Sequence, residues 1–238
     1  VTQRATYHHG DLRAALVQAA LELVSAKGVT GLSVAAAARR AGVSGAAPYR
    51  HFANRAELLS AAATFAARQL SELMRAATEQ PAEPDDRDDD SDSDVGDRAG
   101  VGVARAVEVL ARLTRVYVHF TLTHGAGFEL IFADELQDVP DPQRREATRE
   151  LHDRLLFPAL AVTGDPDAAG HLLRALVAIA HGYAYLPRGG FMRGFDTSPA
   201  RVADEAAGAV RTLAWSATAD QAAGQGGDQS VCGYGRSP

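Results

Sequence analysis

Between Val29 and Arg55 the chain reads VTGLSVAAAARRAGVSGAAPYRHFANR. This stretch holds two short runs suited to helix, separated at Gly42, with Pro48 early in the second run. Neither residue belongs inside a long helix: glycine adds backbone freedom, and proline lacks the N–H that an interior turn requires. The spacing predicts two short helices crossing at a tight turn over about residues 32–51, a layout that presents its second helix to the DNA major groove. Ser33 is the expected N-cap of the first and Ser44 of the second. Ala38 is small where the helices cross, Gly42 accepts positive φ in the turn, and Val43 and Phe52 turn inward. Pro48 requires the second helix to start at Gly45 or later, or to be distorted.

The rest of the chain is patterned for helix. Hydrophobic residues make up 46% of the 238 positions, much of that fraction is alanine, and long β-branched runs are absent, so an all-α fold is expected. A first helix is predicted from about Gly10 to Ala26, with Leu12, Leu16, Ala19, Leu23 and Val24 on one stripe, and with Lys27 and Gly28 closing it. Asn54 is placed to cap a helix over 55–78, with Leu58, Leu59, Ala62, Phe65, Ala66, Leu70, Leu73 and Met74 inward. Residues 79–100 are dense in acid and punctuated by proline, and read as an extended, disordered loop. A second helical domain is expected over 101–219. Its helices cover about 103–123, 125–136, 142–162, 167–186 and 198–217, and a flexible Gly/Gln-rich tail covers 220–238.

Charge is distributed unevenly. The net charge is −6, yet residues 1–60 carry Arg4, Arg13, Lys27, Arg39, Arg40, Arg50 and Arg55 against Asp11, Glu22 and Glu57. A basic head on an acidic chain is the asymmetry of a nucleic-acid binder. The single cysteine, Cys232, cannot form an internal disulfide, no apolar run approaches the ~20 residues of a membrane span, and the first residues lack a signal-peptide core. A cytoplasmic location with no membrane partner is expected. Metal-ligand spacings are absent; His119 and His124, for instance, lie about 140° apart on a helix. AGVG at Ala99 follows the acidic stretch rather than a strand, so it is no phosphate cradle. No metal, cofactor or catalytic group is expected. Arg144, Arg145 and Arg149, alternating with Glu146 and Glu150, read as a solvated helix face.

Taken together, YHHGDLR, GLSVAAAARRAGVS, GAAPYRHF and ANRAELL over roughly Tyr7 to Leu73 resemble the TetR family of bacterial transcriptional regulators. IAHGYAYL, Ile179 to Leu186, is similar to the Trp-His-Gly motif of one class of TetR ligand domains, with Ala180 in place of the tryptophan. The resemblance implies a helix-turn-helix domain over 1–54 followed by a helical ligand-binding and dimerisation domain. It also implies a homodimer through the last two helices, and a small-molecule effector that alters the spacing of the two recognition helices.

On this reading the residues expected at DNA are Ser33, Ser44, Gly45, Ala46, Ala47, Tyr49, Arg50, His51 and Arg55. Ser33 marks helix-start amides suited to a phosphate. Ala46 or Ala47 can sense a thymine methyl, and Arg50 is the candidate for guanine, with a phosphate contact as its alternative. Tyr49 and His51 fit phosphates. Arg55 takes the place where the family carries a lysine on the backbone. Arg4, His8 and His9 form an N-terminal arm that either touches DNA or is solvated. Tyr117, His119, Phe120, His124, Phe128 and Tyr183 are expected to line an effector cavity, the remaining aromatic residues being core. The leading expectation is a repressor released from a pseudo-palindromic double-stranded operator by an unidentified small molecule. A ligand-independent DNA-binding regulator, and a helical carrier or enzyme, are the alternatives.

Overall fold

Leu16, Ala19, Ala20, Leu23 and Val24 fall at helical spacing and are all buried in α1, His9–Lys27, as the sequence pattern requires, whereas Leu12 is half-buried. The computed structural model describes residues 9–79, 95–125, 127–188 and 190–226. After Gly28 and a 3-10 turn over Val29–Gly31 comes α2, Val34–Arg40. A second 3-10 turn, Ala47–Arg50, precedes α3, Arg55–Glu79. α4 covers Val95–His124, α5 is a single turn over Phe128–Ile131, and a 3-10 turn follows at Asp134–Leu136. α6, Pro142–Thr163, α7, Pro166–Tyr185, and α8, Pro199–Gly226, complete the fold. All regular structure among the described residues is helical.

Several boundaries differ from the sequence pattern. α4 begins at Val95, inside the stretch read as an acidic loop; residues 80–94 of that stretch lie outside the described residues. The expected helix over 125–136 is instead α5 and a separate 3-10 turn, because Gly125 ends α4 at φ 62°. α8 runs on to Gly226, nine residues beyond the expected end and into the segment read as a flexible tail. Phe65 and Leu73, assigned inward on α3, are 46% and 43% exposed, so the buried stripe is narrower and is carried by Leu58, Leu59, Ala62, Ala66, Leu70 and Met74.

The chain divides into two compact units. One takes the described residues up to Ala76 together with His119–His152; the other takes Ala77–Val118 and the described residues from Asp153 onward. In the second unit, Val107, Leu110, Val162, Leu172, Leu176 and Val210 meet in one apolar core. On its surface Arg211 of α8 grips Glu108 of α4 with both arms, at 2.5 and 2.9 Å. The hydrogen bond from Arg211 holds the Glu108 carboxyl below its ordinary range.

The first unit is held by a polar node. Arg144 is buried to 9% exposure, not solvated as its alternating charge pattern implied. Its guanidinium donates to Ser60 Oγ at 3.2 Å, to Val139 O at 3.0 Å and to Leu136 O. Ser60, on α3, donates in turn to Asp141 Oδ2 at 2.8 Å. The other oxygen of Asp141 caps α6, accepting from Gln143 N and Arg144 N at 3.0 Å each. Arg149 does lie on the surface, paired with Glu146.

Burial pushes the Asp141 carboxyl up, but the Arg144 N–H, the Ser60 hydroxyl, the Gln143 N–H and the Arg144 charge together hold it below its ordinary value. A depressed carboxylate stabilises the fold fully above its unfolded pKa of about 3.9, and that contribution is lost as pH falls through the folded value. Asp141→Asn is therefore expected to cost about 1 kcal/mol at neutral pH. It should also flatten the loss of stability between about pH 5 and about pH 3, measured by chemical denaturation across that range.

Candidate nucleic-acid interface

α2 is short but well bounded. Ser33, in extended conformation, accepts from Ala36 N at 3.1 Å and so serves as the N-cap. Val34, Ala37 and Ala38 pack inward, leaving Arg39 and Arg40 exposed at the other end. Gly42 follows at φ 70°, and Val43 N returns to Ala38 O at 3.0 Å to close the turn. No atom lies within 4 Å of where a Gly42 Cβ would stand, so glycine is required here by backbone angle and not by space.

The second element of the motif is not an α-helix. It is the 3-10 turn Ala47–Arg50, with Ala46 as its N-cap and no side-chain capping bond. Ser44 contributes its carbonyl, accepting from Ala47 N at 3.0 Å, and not the hydroxyl cap expected of it. Pro48 is the cause: it is buried at the start of the turn, it supplies no N–H, and its carbonyl receives both His51 N and Phe52 N. Asn54 then opens α3, accepting from Glu57 N at 2.9 Å, while Glu57 reaches back to Ala53 N at 2.8 Å. This reciprocal cap leaves no length for a longer second helix.

The turn presents a basic surface. Ser44, Gly45, Ala46, Tyr49 and Arg50 are exposed, and Ala47 and His51 are half-buried. His51 turns its Nε2 inward, where it has no partner among the described residues. No acidic residue lies between Glu22 and Glu57, a span that carries Lys27, Arg39, Arg40, Arg50 and Arg55. These cations differ in freedom. Arg40 is paired with Glu22, and beside this span Arg13 of α1 stacks over Phe52 at 5.3 Å. Among the described residues Arg39 and Arg50 have no ion-pair partner. Arg39 sits at the end of α2 and enters the sequence reading only through the charge of the basic head.

Arg55, expected at the phosphate backbone, is held by its own unit. Its guanidinium donates to Leu32 O at 2.8 Å and Val29 O at 2.7 Å, and pairs with Glu135. Carbonyls and a carboxylate engage all but one of its N–H groups, so in this arrangement Arg55 anchors the start of α3. Of the N-terminal arm, Arg4 and His8 lie outside the described residues, as does the His9 side chain.

The expected effector residues are divided between the two units. Tyr117 and Tyr183 belong to the second unit, whereas His119, Phe120 and His124 belong to the first; the Phe128 side chain lies outside the described residues. In the second unit the Tyr117 hydroxyl meets His181 Nδ1 at 2.9 Å, His181 stacks on Tyr185, and Arg188 lies 4.3 Å over the Tyr185 ring. Neither His181 nor Tyr185 is among the residues expected at the effector, although their separation of four residues puts them on one helix face. In the first unit His119 is exposed, Phe120 is 2% exposed, and His124 stacks on Phe120 with ring centres 4.6 Å apart. Among the described residues no three His, Cys, Asp or Glu side chains are grouped to hold a metal, and no helix is long and apolar enough to cross a membrane.

Residues 16–62 match the family model for bacterial regulatory proteins of the tetR family, and residues 110–210 match that for the tetracyclin repressor-like C-terminal domain. A protein of unknown function from Rhodococcus sp. RHA1 is similar over 88% of this chain and 98% of its own, with 27% identity and a TM-score of 0.63. A tetR-family transcriptional regulator from Streptomyces coelicolor shares the fold at 18% identity and a TM-score of 0.60, covering 91% of this chain and 87% of its own. The TetR family regulator PfmR from Thermus thermophilus does so at 20% identity and a TM-score of 0.54, covering 90% and 96%. No curated protein matches the chain.

The anchoring of Arg55 has a measurable consequence. Arg55→Ala leaves two backbone carbonyls and Glu135 without their donor and is expected to cost about 2 kcal/mol in stability. The salt dependence of duplex binding should stay the same, since no phosphate contact is lost. A fall of about one in the log–log salt slope would restore Arg55 to the phosphate backbone.

Proposed function

The chain belongs to the tetR family of bacterial regulatory proteins, and we propose that it acts as a homodimeric repressor released from its operator by a small molecule. It is a DNA-binding transcriptional regulator and not an enzyme, which removes the carrier and enzyme alternatives. The observation that carries the proposed mode of DNA reading is the exposed Ala47–Arg50 turn within a sequence span, 23–56, that holds no acid, with Arg39 and Arg50 unpaired among the described residues. Phosphate contacts supply affinity that falls with salt, and groups reaching base edges supply sequence choice.

The exposed small residues at 44–46 allow the backbone to approach the groove closely. Ala46 and Ala47 present methyl groups there. Arg50, on the turn, reaches the guanine edge and the exposed Tyr49 flanks it toward phosphates, whereas His51, with its Nε2 turned inward, has only Nδ1 left for such a contact. Because the element is one 3-10 turn, fewer residues can face the groove than a full helix would present. Arg39, not Arg55, takes the phosphate role at the edge.

Pairing of α7 and α8 with their mates gives two reading heads related by a two-fold axis, which calls for a pseudo-palindromic site. Gly182 on α7 and Gly208 on α8 leave open space beside their backbones, as close packing of helices between subunits requires. The effector is assigned to the second unit, where Tyr117, His181 and Tyr185 combine aromatic surface with hydrogen-bonding groups; Tyr183 lies on the opposite side of α7 from that pair. A regulator of this kind works in the cytoplasm, where the chromosome is accessible.

Binding to genomic fragments selected by the purified protein tests the assignment. Arg50→Ala should relax discrimination at one base pair per half-site, and Arg39→Ala should weaken all duplexes alike and lower the salt slope by about one. Loss of affinity in Arg50→Ala without a change in preference would make Arg50 a phosphate contact. Failure of the wild-type protein to retain any fragment would overturn the reading.

A further inference from the structure

The first unit contains a cleft of 480 Å³ that the DNA-binding reading leaves without a role. Its walls come from α1, α3 and the end of α4, and Arg40, the last residue of α2, closes one side. Gln18 and Gln69 face it from α1 and α3. One aromatic wall is Phe65, 46% exposed; the other is the exposed His124, backed by the buried Phe120 on which it stacks. Half-exposed phenylalanine on a concave surface is an unfilled apolar contact.

Where the end of α4 meets α1 the backbones are in contact. A Cβ on Gly125 would overlap Ser25 Oγ and stand 3.0 Å from Ser25 Cα. Glycine is thus required by space as well as by its φ of 62°, and Ser25 itself lines the cleft. The cavity is therefore bounded by an approach that admits no side chain.

Arg40 supplies the charge. It meets Glu22 through Nε alone, so among the described residues the outer edge of its guanidinium, formed by the two terminal nitrogens, has no acceptor. A guanidinium edge binds a carboxylate with two parallel hydrogen bonds. Aromatic walls with a free guanidinium edge between them suit a flat ring carrying an acid group. A planar aromatic cation would instead be drawn to Glu22, but Glu22 is already neutralised by Arg40. Neutral amides at Gln18 and Gln69 can serve a ring hydroxyl or a carboxylate oxygen equally.

We propose that this cleft is a binding site for a small aromatic carboxylate, distinct from the effector site assigned to the second unit. The ring lies between Phe65 and His124, and the carboxylate takes the outer edge of Arg40. Because Arg40 is the residue from which the chain enters the Gly42 turn, an occupant touches the DNA-reading motif directly. The site does not depend on dimerisation or on the operator.

Titration calorimetry of the full-length protein with 1-naphthoate, without DNA, tests this, with 1-naphthylmethanol as the uncharged analogue. Naphthoate should bind at least tenfold more tightly than the alcohol. Arg40→Gln should abolish that preference, and Phe65→Ala should weaken both ligands at least fivefold. Phe65 is half-exposed, so its removal leaves the fold intact and keeps the test valid even where Arg40→Gln loosens α2. Glu22→Gln removes a negative charge beside the ligand carboxylate while leaving the outer edge of Arg40 in place, and should tighten naphthoate binding severalfold, an outcome that a merely structural role for the Glu22–Arg40 pair would not produce. Phe157→Ala, at an exposed phenylalanine of the second unit, should change nothing. No binding at millimolar naphthoate, or binding indifferent to both Arg40→Gln and Phe65→Ala, overturns the proposal. Retention of genomic DNA is read separately, so either conclusion can fail alone.

Discussion

Arg144 is the charge around which the first unit is arranged. A guanidinium almost wholly removed from water loses several kcal/mol of hydration unless oxygen atoms replace it, and breaking such an arrangement costs about 3–5 kcal/mol. The oxygens come from two backbone carbonyls, Leu136 and Val139, and from the Ser60 hydroxyl, with the Asp141 carboxylate on the far side of that hydroxyl. None of these partners is adjacent in sequence to the DNA-reading turn, yet Ser60 lies on α3, the helix that begins directly after it. The node therefore fixes where α3 begins, and Arg55 with its bonds to Val29, Leu32 and Glu135 repeats the same logic five residues earlier. A module of short helices with an alanine-rich interior buries little area per residue. Charged hydrogen bonds at its edge supply the order that a larger apolar core would otherwise give.

The reading element shows how a single proline sets both length and presentation. Pro48 is buried and begins a 3-10 turn, and Asn54 with Glu57 starts the next helix so soon that nothing longer fits between. Four residues in a 3-10 turn stand on three sides, so the exposed members, Tyr49 and Arg50, are neighbours in sequence instead of successive turns of one helical face. Sequence choice then rests on few side chains. The remaining affinity has to come from phosphates, which suits a surface where Arg39 and Arg50 are unpaired among the described residues.

Local rules were legible in the residues. The N-caps at Ser33 and Asn54, the positive φ at Gly42 and the apolar stripe of α1 each follow from chemistry within a few positions, and the helical class follows from their sum. What could not be read were partners distant in sequence. Arg55 is separated from Glu135 by 80 positions and Arg144 from Ser60 by 84, and nothing in the spacing of either arginine distinguishes a buried anchor from a solvated charge. The same limit explains Phe65 and Leu73. Their spacing fits the inward stripe of α3, but the width of that stripe depends on which neighbours arrive to cover it. His181 and Tyr185 differ, because their separation by four residues was available as a signal. It was outweighed by Tyr183, which shares their motif but not their helix face.

The size of any influence on DNA binding through the first-unit cleft is bounded by the pair at its rim. Arg40 and Glu22 are both substantially exposed, and pairs of that kind contribute about 0–1 kcal/mol. Perturbing the pair can shift the position of α2 by no more free energy than the pair itself holds, and by linkage operator binding must alter ligand affinity by the same factor. Coupling by this route is then on the order of fivefold at most, too small to switch a promoter alone. A full release from DNA needs a ligand whose preference between two arrangements is far larger, on the order of several kcal/mol for a near-complete shift. A preference of that size requires extensive buried contact, which a half-open cleft beside α2 does not offer and an apolar helical core such as that of the second unit can. The two sites are therefore suited to different tasks, with graded adjustment at Arg40 and switching within the larger helical unit.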